Sequence, residues 1–403
     1  MTIRRLLLLL AIMSPASLAA QATDPAIELA RRVLRATPLI DGHNDLPWAI
    51  RNDPTARGNV AAYDLRRTTP GHTDIARLRQ GMVGGQFWSV YVPGEYADSG
   101  FARVQLEEID IARRVIERYP DVLELALTAA DVRRSFAAGK IGSLLGMEGG
   151  HALENSLGAL RSYYDLGARY LTLTHNVTLD WADAAAGPAT HGGLTDFGRD
   201  VVREMNRLGM LVDLSHTSPG TMSDALDVAQ APVIFSHSNA RALAEHVRNV
   251  PDSILRRLPA NGGVVMVTFV PGFLSQPLID HNRTLTTTRQ AAAARFGADT
   301  VSARRAVNTW QADHPPPRAT LAQVADHIHY IRTVAGVDHV GIGGDFDGIT
   351  EVVLGLEDVS TYPALFAELA RRGWTEGELK KLAGENILRA LEGAEATARR
   401  LRR

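Results

Sequence analysis

Pro38-Leu39-Ile40-Asp41-Gly42-His43-Asn44-Asp45 is a short apolar run that finishes in a polar tip able to hold a metal ion, and its layout recurs along the chain. Seven further apolar runs follow it: Val83 to Val92, Ile141 to Met147, Tyr170 to His175, Met210 to His216, Val233 to His237, Gly263 to Val270 and His339 to Asp345. Amphipathic stretches of helical length lie between most of them, among them Phe101 to Tyr119, Leu153 to Leu166, Phe197 to Leu208, Thr221 to Ala229 and Leu321 to Val334. Such alternation is the pattern of βα units around a parallel sheet. Eight units predict an α/β fold of the (β/α)8 barrel type rather than a doubly wound sheet, and 403 residues suit such a barrel with insertions. The insertions are the segment between the second and third runs and the segment Pro271 to Arg318, which is rich in Thr, Ala and Arg and closes in Pro315-Pro316-Pro317. The latter reads as a lid or an interface arm. With no internal repeat or linker in sight, residues 23–403 are expected to form one barrel domain.

Metal-capable residues keep returning at the ends of these runs. Besides His43 and Asp45 they are Glu148 in Met147-Glu148-Gly149-Gly150, His175 in Thr174-His175-Asn176, His216 in Asp213-Leu214-Ser215-His216, His237 in Ser236-His237-Ser238, and Asp345 with Asp347 after Gly343-Gly344. A parallel barrel turns all its C-terminal strand ends to one face, so six sites remote in sequence converge on one pocket. His43 and Asp45 stand two apart on an extended segment and project to the same side. Glu148 precedes two glycines that let the backbone turn away, and its two oxygens can bridge two cations. His216 and His237 supply imidazoles for a second ion. Mixed nitrogen and oxygen ligation suits Zn²⁺ best, with Mn²⁺ or Co²⁺ as alternatives. Two such ions, about 3.5–4 Å apart, activate a shared water for hydrolysis of a bound carbonyl. Asp345 is then placed as general acid/base, with Asp347 its competitor or else a turn residue before Gly348. His175 is a candidate for stabilising the oxyanion. By contrast, His72-Thr73-Asp74 repeats the His-x-Asp spacing but precedes an amphipathic stretch, so Thr73 or Asp74 reads as a helix N-cap. His327 and His329 lie two apart on a predicted helix and cannot share a face.

Composition narrows the partners. The formal net charge of -2 leaves no broad basic surface for a nucleic acid or an anionic bilayer. The chain has no cysteine, which excludes disulfides, thiolate ligands and a cysteine nucleophile. Residues 1–22 read as an export signal: Arg4 and Arg5, an apolar run from Leu6 to Met13 too short to span a bilayer, then small residues ending in Ala20-Gln21-Ala22. The basic end, Arg399-Arg400-Leu401-Arg402-Arg403, carries no hydrophobic tail of the kind a lipid anchor replaces. An exported protein without a stable membrane anchor, periplasmic or secreted, is expected.

In order and composition these pieces resemble the membrane-dipeptidase (renal dipeptidase-like) family of metallopeptidases, peptidase family M19. The resemblance runs through Asp41-Gly42-His43-Asn44-Asp45-Leu46-Pro47-Trp48, Gly84-Gly85-Gln86-Phe87-Trp88-Ser89, Leu171-Thr172-Leu173-Thr174-His175-Asn176, Arg248-Asn249-Val250-Pro251-Asp252 and Gly341-Ile342-Gly343-Gly344-Asp345-Phe346-Asp347-Gly348, as well as the segments around Glu148, His216 and His237. It implies a (β/α)8 barrel with two Zn²⁺ per chain, one on His43 and Asp45, the other on His216 and His237, bridged by Glu148. It also implies that His175 contacts substrate, that Asp345 serves at the reacting centre near the substrate's amino end, and that Arg248 binds substrate. A guanidinium can grip the C-terminal carboxylate of a dipeptide bidentately. A homodimer is expected on the same ground, without the cysteines and lipid anchor of mammalian members. Some family members accept a C-terminal D-residue or open β-lactams, which leaves the dipeptide open.

Two other functions compete. Another metal-dependent amidohydrolase, acting on N-acyl amino acids or β-lactams, would commonly carry His-x-His on its first strand, where this chain has His43-Asn44-Asp45. A non-catalytic metal- or peptide-binding protein would have no need of Asp345. Gly341-Ile342-Gly343-Gly344 precedes an acidic pair rather than a helix, which argues against a phosphate site.

Overall fold

A computed structural model describes residues 24–94, 96 and 100–403; the expected export signal lies outside the described residues. The parallel strands are β1 (Leu39–Asn44), β2 (Val83–Tyr91), β3 (Leu123–Leu125), β4 (Ile141–Glu148), β5 (Ala168–Thr172), β6 (Leu211–Asp213), β7 (Ile234–Phe235), β8 (Val264–Val267) and β9 (Val340–Ile342). Hydrogen bonding runs β2-β1-β9-β8-β7-β6-β5-β4, and β2 pairs back onto β4 from Gly85 opposite Gly142 to Tyr91 opposite Glu148. That last ladder closes a barrel of eight, whose strands are the eight apolar runs. β3 was not expected. It pairs with Ile141 to Ser143 at the start of β4, below the point where β5 joins at Leu145, and three residues are too few to show a period.

Alternation along the strands sorts the core into two layers. Ile40, Phe87, Leu144, Tyr170, Leu211, Ile234, Val264 and Met266 point inward and pack with Ile387, Leu388 and Leu391 of the C-terminal helix Asn386–Leu401. Their sequence neighbours Leu39, Leu145, Leu171, Val212, Phe235 and Val265 face outward and carry the helices. Gly146 belongs to the inward set, where any Cβ would run into the Tyr170 ring. This missing side chain lets a tyrosine lie inside the barrel with its hydroxyl toward β1.

Several strands end before their apolar runs do. β6 stops at Asp213, β7 at Phe235 and β9 at Ile342, so His216, His237 and Asp345 sit on loops beyond the ladder. The predicted helix from Leu153 begins instead at Leu157: a 3-10 turn fills Gly150–Leu153, and Ser156 caps the helix by accepting from the Ala159 amide. Asp74 caps Ile75–Gln80, as its position before an amphipathic stretch predicts, accepting from the Arg77 amide at 2.9 Å.

The insertion is helical. A short turn, Pro271–Leu274, leads into the antiparallel pair Gln276–Phe296 and Thr300–Asp313. The second of these buries no residue and leans on the first, with Trp310 5.2 Å from the His281 ring. Its root is tied down by His327, on the helix Leu321–Ala335. Nε2 of that ring donates to the Leu274 carbonyl at 3.1 Å, while Nδ1 accepts from the Ala240 amide at 3.1 Å. Burial pushes the His327 pKa down to about 4 from 6.5. The unfolded chain therefore takes up this proton first on acidification, and stability should fall by on the order of 3 kcal/mol as the pH drops from 6.5 through about 4. His327→Gln can keep both hydrogen bonds without titrating. Urea unfolding at pH 7 and pH 4.5 should show a smaller acid loss in that variant, and an equal loss would remove His327 from the account.

Candidate metal centre

The C-terminal strand ends gather around a cavity of about 320 Å³, lined among others by Asp45, Glu148, His175, His216, His237, Arg248 and Asp345. His43 lies directly behind it. All the sequence-predicted site residues are thus brought together, including Arg248, which reaches in from the loop after β7. A larger cleft of about 640 Å³ is lined by Arg51, Arg57, Arg103 and Arg114. There Glu107 pairs with Arg51 and Arg103, and Asp110 with Arg114.

Glu148 stands at the middle of the centre. One carboxylate oxygen, Oε2, lies 3.4 Å from His43 Nε2, which is itself 3.3 Å from Asp45 Oδ2. The other, Oε1, lies 2.9 Å from His216 Nε2 and 3.3 Å from His237 Nε2. His175 is further out, its Nε2 4.0 Å from Oε1. Three overlapping groups bring ligand atoms within 4.8 Å of one another: His43, Glu148 and His237; Glu148, His175 and His216; His43, Asp45 and Asp345. The shortest distances divide the donors into His43 and Asp45 on Oε2, and His216 and His237 on Oε1.

Each of these three imidazoles is oriented through its Nδ1. His43 Nδ1 lies 2.9 Å from the Tyr170 hydroxyl, which donates its own proton to the Gly42 carbonyl at 3.2 Å. Asn176 Oδ1 lies 3.2 Å from His216 Nδ1, and Ser236 Oγ lies 2.8 Å from His237 Nδ1. With protons on Nδ1, the Nε2 atoms of His216 and His237 present lone pairs, 2.8 Å from each other and aimed at the same carboxylate oxygen. Three acceptors facing one another without a proton between them are mutually repulsive unless a cation sits among them, and nitrogen with oxygen is a donor set for Zn²⁺. These residues therefore fit a metal ion.

Charge runs the same way. Burial opposes ionisation of Glu148, yet the charge of a protonated His43 holds its carboxyl well below the usual range. Burial pushes His216 and His237 well down, helped by Arg248 and His175 for the first and by His43 for the second. Neutral imidazole is the form that binds metal. His43 goes the other way: burial opposes its proton, but Tyr170, Glu148 and Asp45 together raise it. Asp345 is pushed up by burial and by the carboxylates of Asp45 and Glu148, against the pull of His43 and Arg248.

Backbone conformation is spent on the site too. His216, Asp345 and Asp347 have φ of 67°, 65° and 65°, in the left-handed region that residues with a Cβ rarely occupy. The Asp345 amide donates to the His43 carbonyl at 3.0 Å, which ties the last strand end to the first. Asp347 turns away from the cavity. Its Oδ1 accepts from the His72 amide at 2.7 Å, and its own amide donates to His72 Nδ1 at 3.0 Å, so of the two aspartates only Asp345 faces the donors.

Some of the site is absent from the sequence reading. The walls are aromatic and aliphatic: Trp48 and Tyr91, 5.0 Å apart edge to face, then Val270, Phe273 and Ile349. Phe273 comes from the root of the insertion. Its ring stacks on His246 at 4.5 Å and carries the Arg248 guanidinium at 5.3 Å. Arg248 is only 3 % exposed, none of its guanidinium nitrogens has a hydrogen-bond partner among the described residues, and burial lowers its pKa to about 10. An isolated buried guanidinium calls for an anionic ligand.

The sequence profile of the membrane dipeptidase family, peptidase family M19, matches residues 27–403. Among solved structures the chain is similar to the probable dipeptidase PvdM from Pseudomonas aeruginosa, with a TM-score of 0.79 and 25% identity over 93% of this chain and 99% of that one. Dipeptidase AC, a metallopeptidase of family M19, gives a TM-score of 0.73 and 28% identity over 89% and 98%. A metallopeptidase from Rhodobacter sphaeroides, liganded with a phosphinate mimic of the dipeptide L-Ala-D-Ala, gives 0.71 and 27% over 89% and 99%.

Proposed function

Because the chain belongs to the membrane dipeptidase family, we propose that it is a two-zinc dipeptidase that hydrolyses free dipeptides, including those with a C-terminal D-residue. The observation that carries this reading is the pairing, in one 320 Å³ cavity, of the divided Glu148 carboxylate with the unpartnered Arg248 guanidinium. His43 and Asp45 would hold one ion and His216 and His237 the other, with Glu148 shared. When bound, such a pair supplies Lewis acidity for the scissile carbonyl and lowers the pKa of a water between the ions.

The remaining work falls to the protein's own side chains. Arg248 binds the substrate's C-terminal carboxylate, and that fixed end limits the substrate to two residues. Asp345 lies beside His43 and Asp45, where it faces the substrate's amino group, takes a proton from water and returns it to the departing amine. His175, held between the rings of Tyr91 at 4.7 Å and His216 at 4.3 Å, donates to the carbonyl oxygen as charge develops there. The apolar walls keep bulk water away and accept uncharged side chains. The Rhodobacter relative's ligand, a phosphinate mimic of the dipeptide L-Ala-D-Ala, supports the same substrate class. Residues 1–22 support export, and no helix among the described residues is long and apolar enough to cross a membrane.

The test is a panel of L-L and L-D dipeptides, their C-terminal amides, tripeptides and N-acyl amino acids, assayed with and without chelator. Dipeptides should be cleaved with about two metals bound per chain, and chelation should abolish turnover. Amidation removes the anion that Arg248 would meet and should lower kcat/KM by about 10²-fold. Turnover confined to N-acyl amino acids would move the chain to another amidohydrolase activity, and metal binding without turnover of any panel member would make it a binding protein.

A further inference from the structure

The three imidazoles around Glu148 are oriented by unlike partners, and only one of those partners leads to a negative charge. The Tyr170 hydroxyl behind His43 ends on the Gly42 carbonyl, and the Asn176 amide behind His216 is neutral. Behind His237 the chain of hydrogen bonds continues. Ser236 Oγ lies 2.8 Å from His237 Nδ1 and donates to Asp213 Oδ2 at 2.6 Å. A hydroxyl has one proton, and a carboxylate only accepts, so Ser236 gives its proton to Asp213 and receives that of His237.

Asp213 is fully buried, and all its neighbours within hydrogen-bond distance are donors. Oδ2 also accepts from Thr172 Oγ1 at 2.5 Å, while Oδ1 accepts from the amides of Ser215 at 3.1 Å and Ser236 at 2.8 Å. Those two amides directly precede His216 and His237. One carboxylate thus fixes the loop positions of both residues and polarises one of them. Thr172, Asp213 and Ser236 each stand two residues beyond an inward-facing side chain, Tyr170, Leu211 and Ile234, so they form the next inward layer of the barrel, directly beneath the centre.

We propose that Asp213 is a positioning residue which, acting through Ser236 on His237, makes the His216/His237 half of the centre the tighter of its two cation sites. The proposal rests on the two-metal reading above. Its physical basis is that a carboxylate behind a ligating imidazole, even one bond removed, draws the Nδ1 proton away and leaves Nε2 a stronger donor; losing such a partner weakens metal binding by about 10–100-fold. The half built on His43 and Asp45 has no such backing.

Two substitutions separate this from a merely structural role. Ser236→Ala breaks the relay but leaves Asp213 its bonds to both loop amides and to Thr172. Asp213→Asn keeps shape and volume but offers an amide N–H where Oδ2 stood. Ser236 must then accept from that amide and donate to His237 Nδ1, which moves the imidazole proton onto Nε2, facing the ion. Zn²⁺ titration of chelator-stripped protein against a chromophoric chelator should show two steps in the wild type. Ser236→Ala should weaken the tight step by about 10-fold and Asp213→Asn by about 100-fold, with the loose step unchanged, while Tyr170→Phe should weaken the loose step alone. ¹⁵N chemical shifts of the imidazoles in folded Asp213→Asn should show the proton of His237 moved to Nε2. Equal change in both steps, an unchanged tight step, or an unmoved tautomer in the folded variant would overturn the proposal. A wild-type chain that binds a single ion would overturn it together with the two-metal reading; two wild-type steps with intact dipeptide turnover but no response to Ser236→Ala would overturn it alone.

Discussion

Glu148→Gln should leave a folded barrel that retains neither cation firmly and hydrolyses dipeptides on the order of 10⁴-fold more slowly or worse. The reason lies in the division of labour between its two oxygens, one 3.4 Å from His43 Nε2 and the other 2.9 Å from His216 Nε2. Glutamine keeps the volume but has one acceptor where the centre needs two. Its amide would place a donor toward one half of the site and remove the negative charge from both. Among the described residues none can compensate, because Asp45 and Asp345 lie on the His43 side and His175, an imidazole, cannot supply a negative charge. Elemental analysis after desalting, circular dichroism and a dipeptide assay test this together. Two metals retained with activity within about 10-fold of wild type would remove Glu148 from its bridging role.

Asp345→Asn should do something different: both metals stay, KM changes little, and kcat falls by about 10³-fold, within the range that general acid/base groups supply. Asparagine can still satisfy the left-handed backbone at this position and can still accept a hydrogen bond, so the protein loses only the capacity to take up and release a proton. Since the proton must leave water before it reaches the amine, the carboxylate is the active form, and the fall in wild-type kcat/KM toward low pH should lose the limb that reports its protonation. Asp347→Asn is the control. Its Oδ1 can go on accepting from the His72 amide, so activity should stay near wild type. An active Asp345→Asn beside an inactive Asp347→Asn would exchange the roles of the two aspartates.

Much of this arrangement is legible in the sequence, for a geometrical reason. Parallel strands closed into a barrel have only one C-terminal face, so polar residues at the tips of Leu39–Asn44, Ile141–Glu148 and the other strands had nowhere to go but the same cavity. The apolar runs revealed the strands because inward and outward faces are both buried, and period-2 polarity is not needed to find them. What stayed hidden depends on contacts between strands. Tyr170 reads as one more core aromatic, and only the stagger of β5 against β1, with Gly146 making room, brings its hydroxyl to His43. Ser236 and Asp213 were in view within Asp213-Leu214-Ser215-His216 and Ser236-His237-Ser238, yet a hydroxyl or acid next to a metal-capable residue has no role until its hydrogen-bond partner is known. Arg248 looked like any loop arginine apart from the family resemblance; its burial comes from Phe273, in the insertion least like the rest. β3 and the true start of the helix at Leu157 were missed because three residues carry no periodicity and because Ser156, a good cap, was read as helix interior.

The left-handed backbone at His216, Asp345 and Asp347 has a consequence for descent. Each of these conformations costs on the order of 1 kcal/mol that glycine would not incur. A lineage released from the need to hydrolyse its substrate would find glycine at 216 or 345 immediately favourable to the stability of the barrel, so the drift from enzyme to inert homologue runs downhill and begins at the site itself. His216 and Asp345 therefore occupy positions that backbone stability alone would give to glycine, and what holds a histidine and an aspartate there is the chemistry they serve.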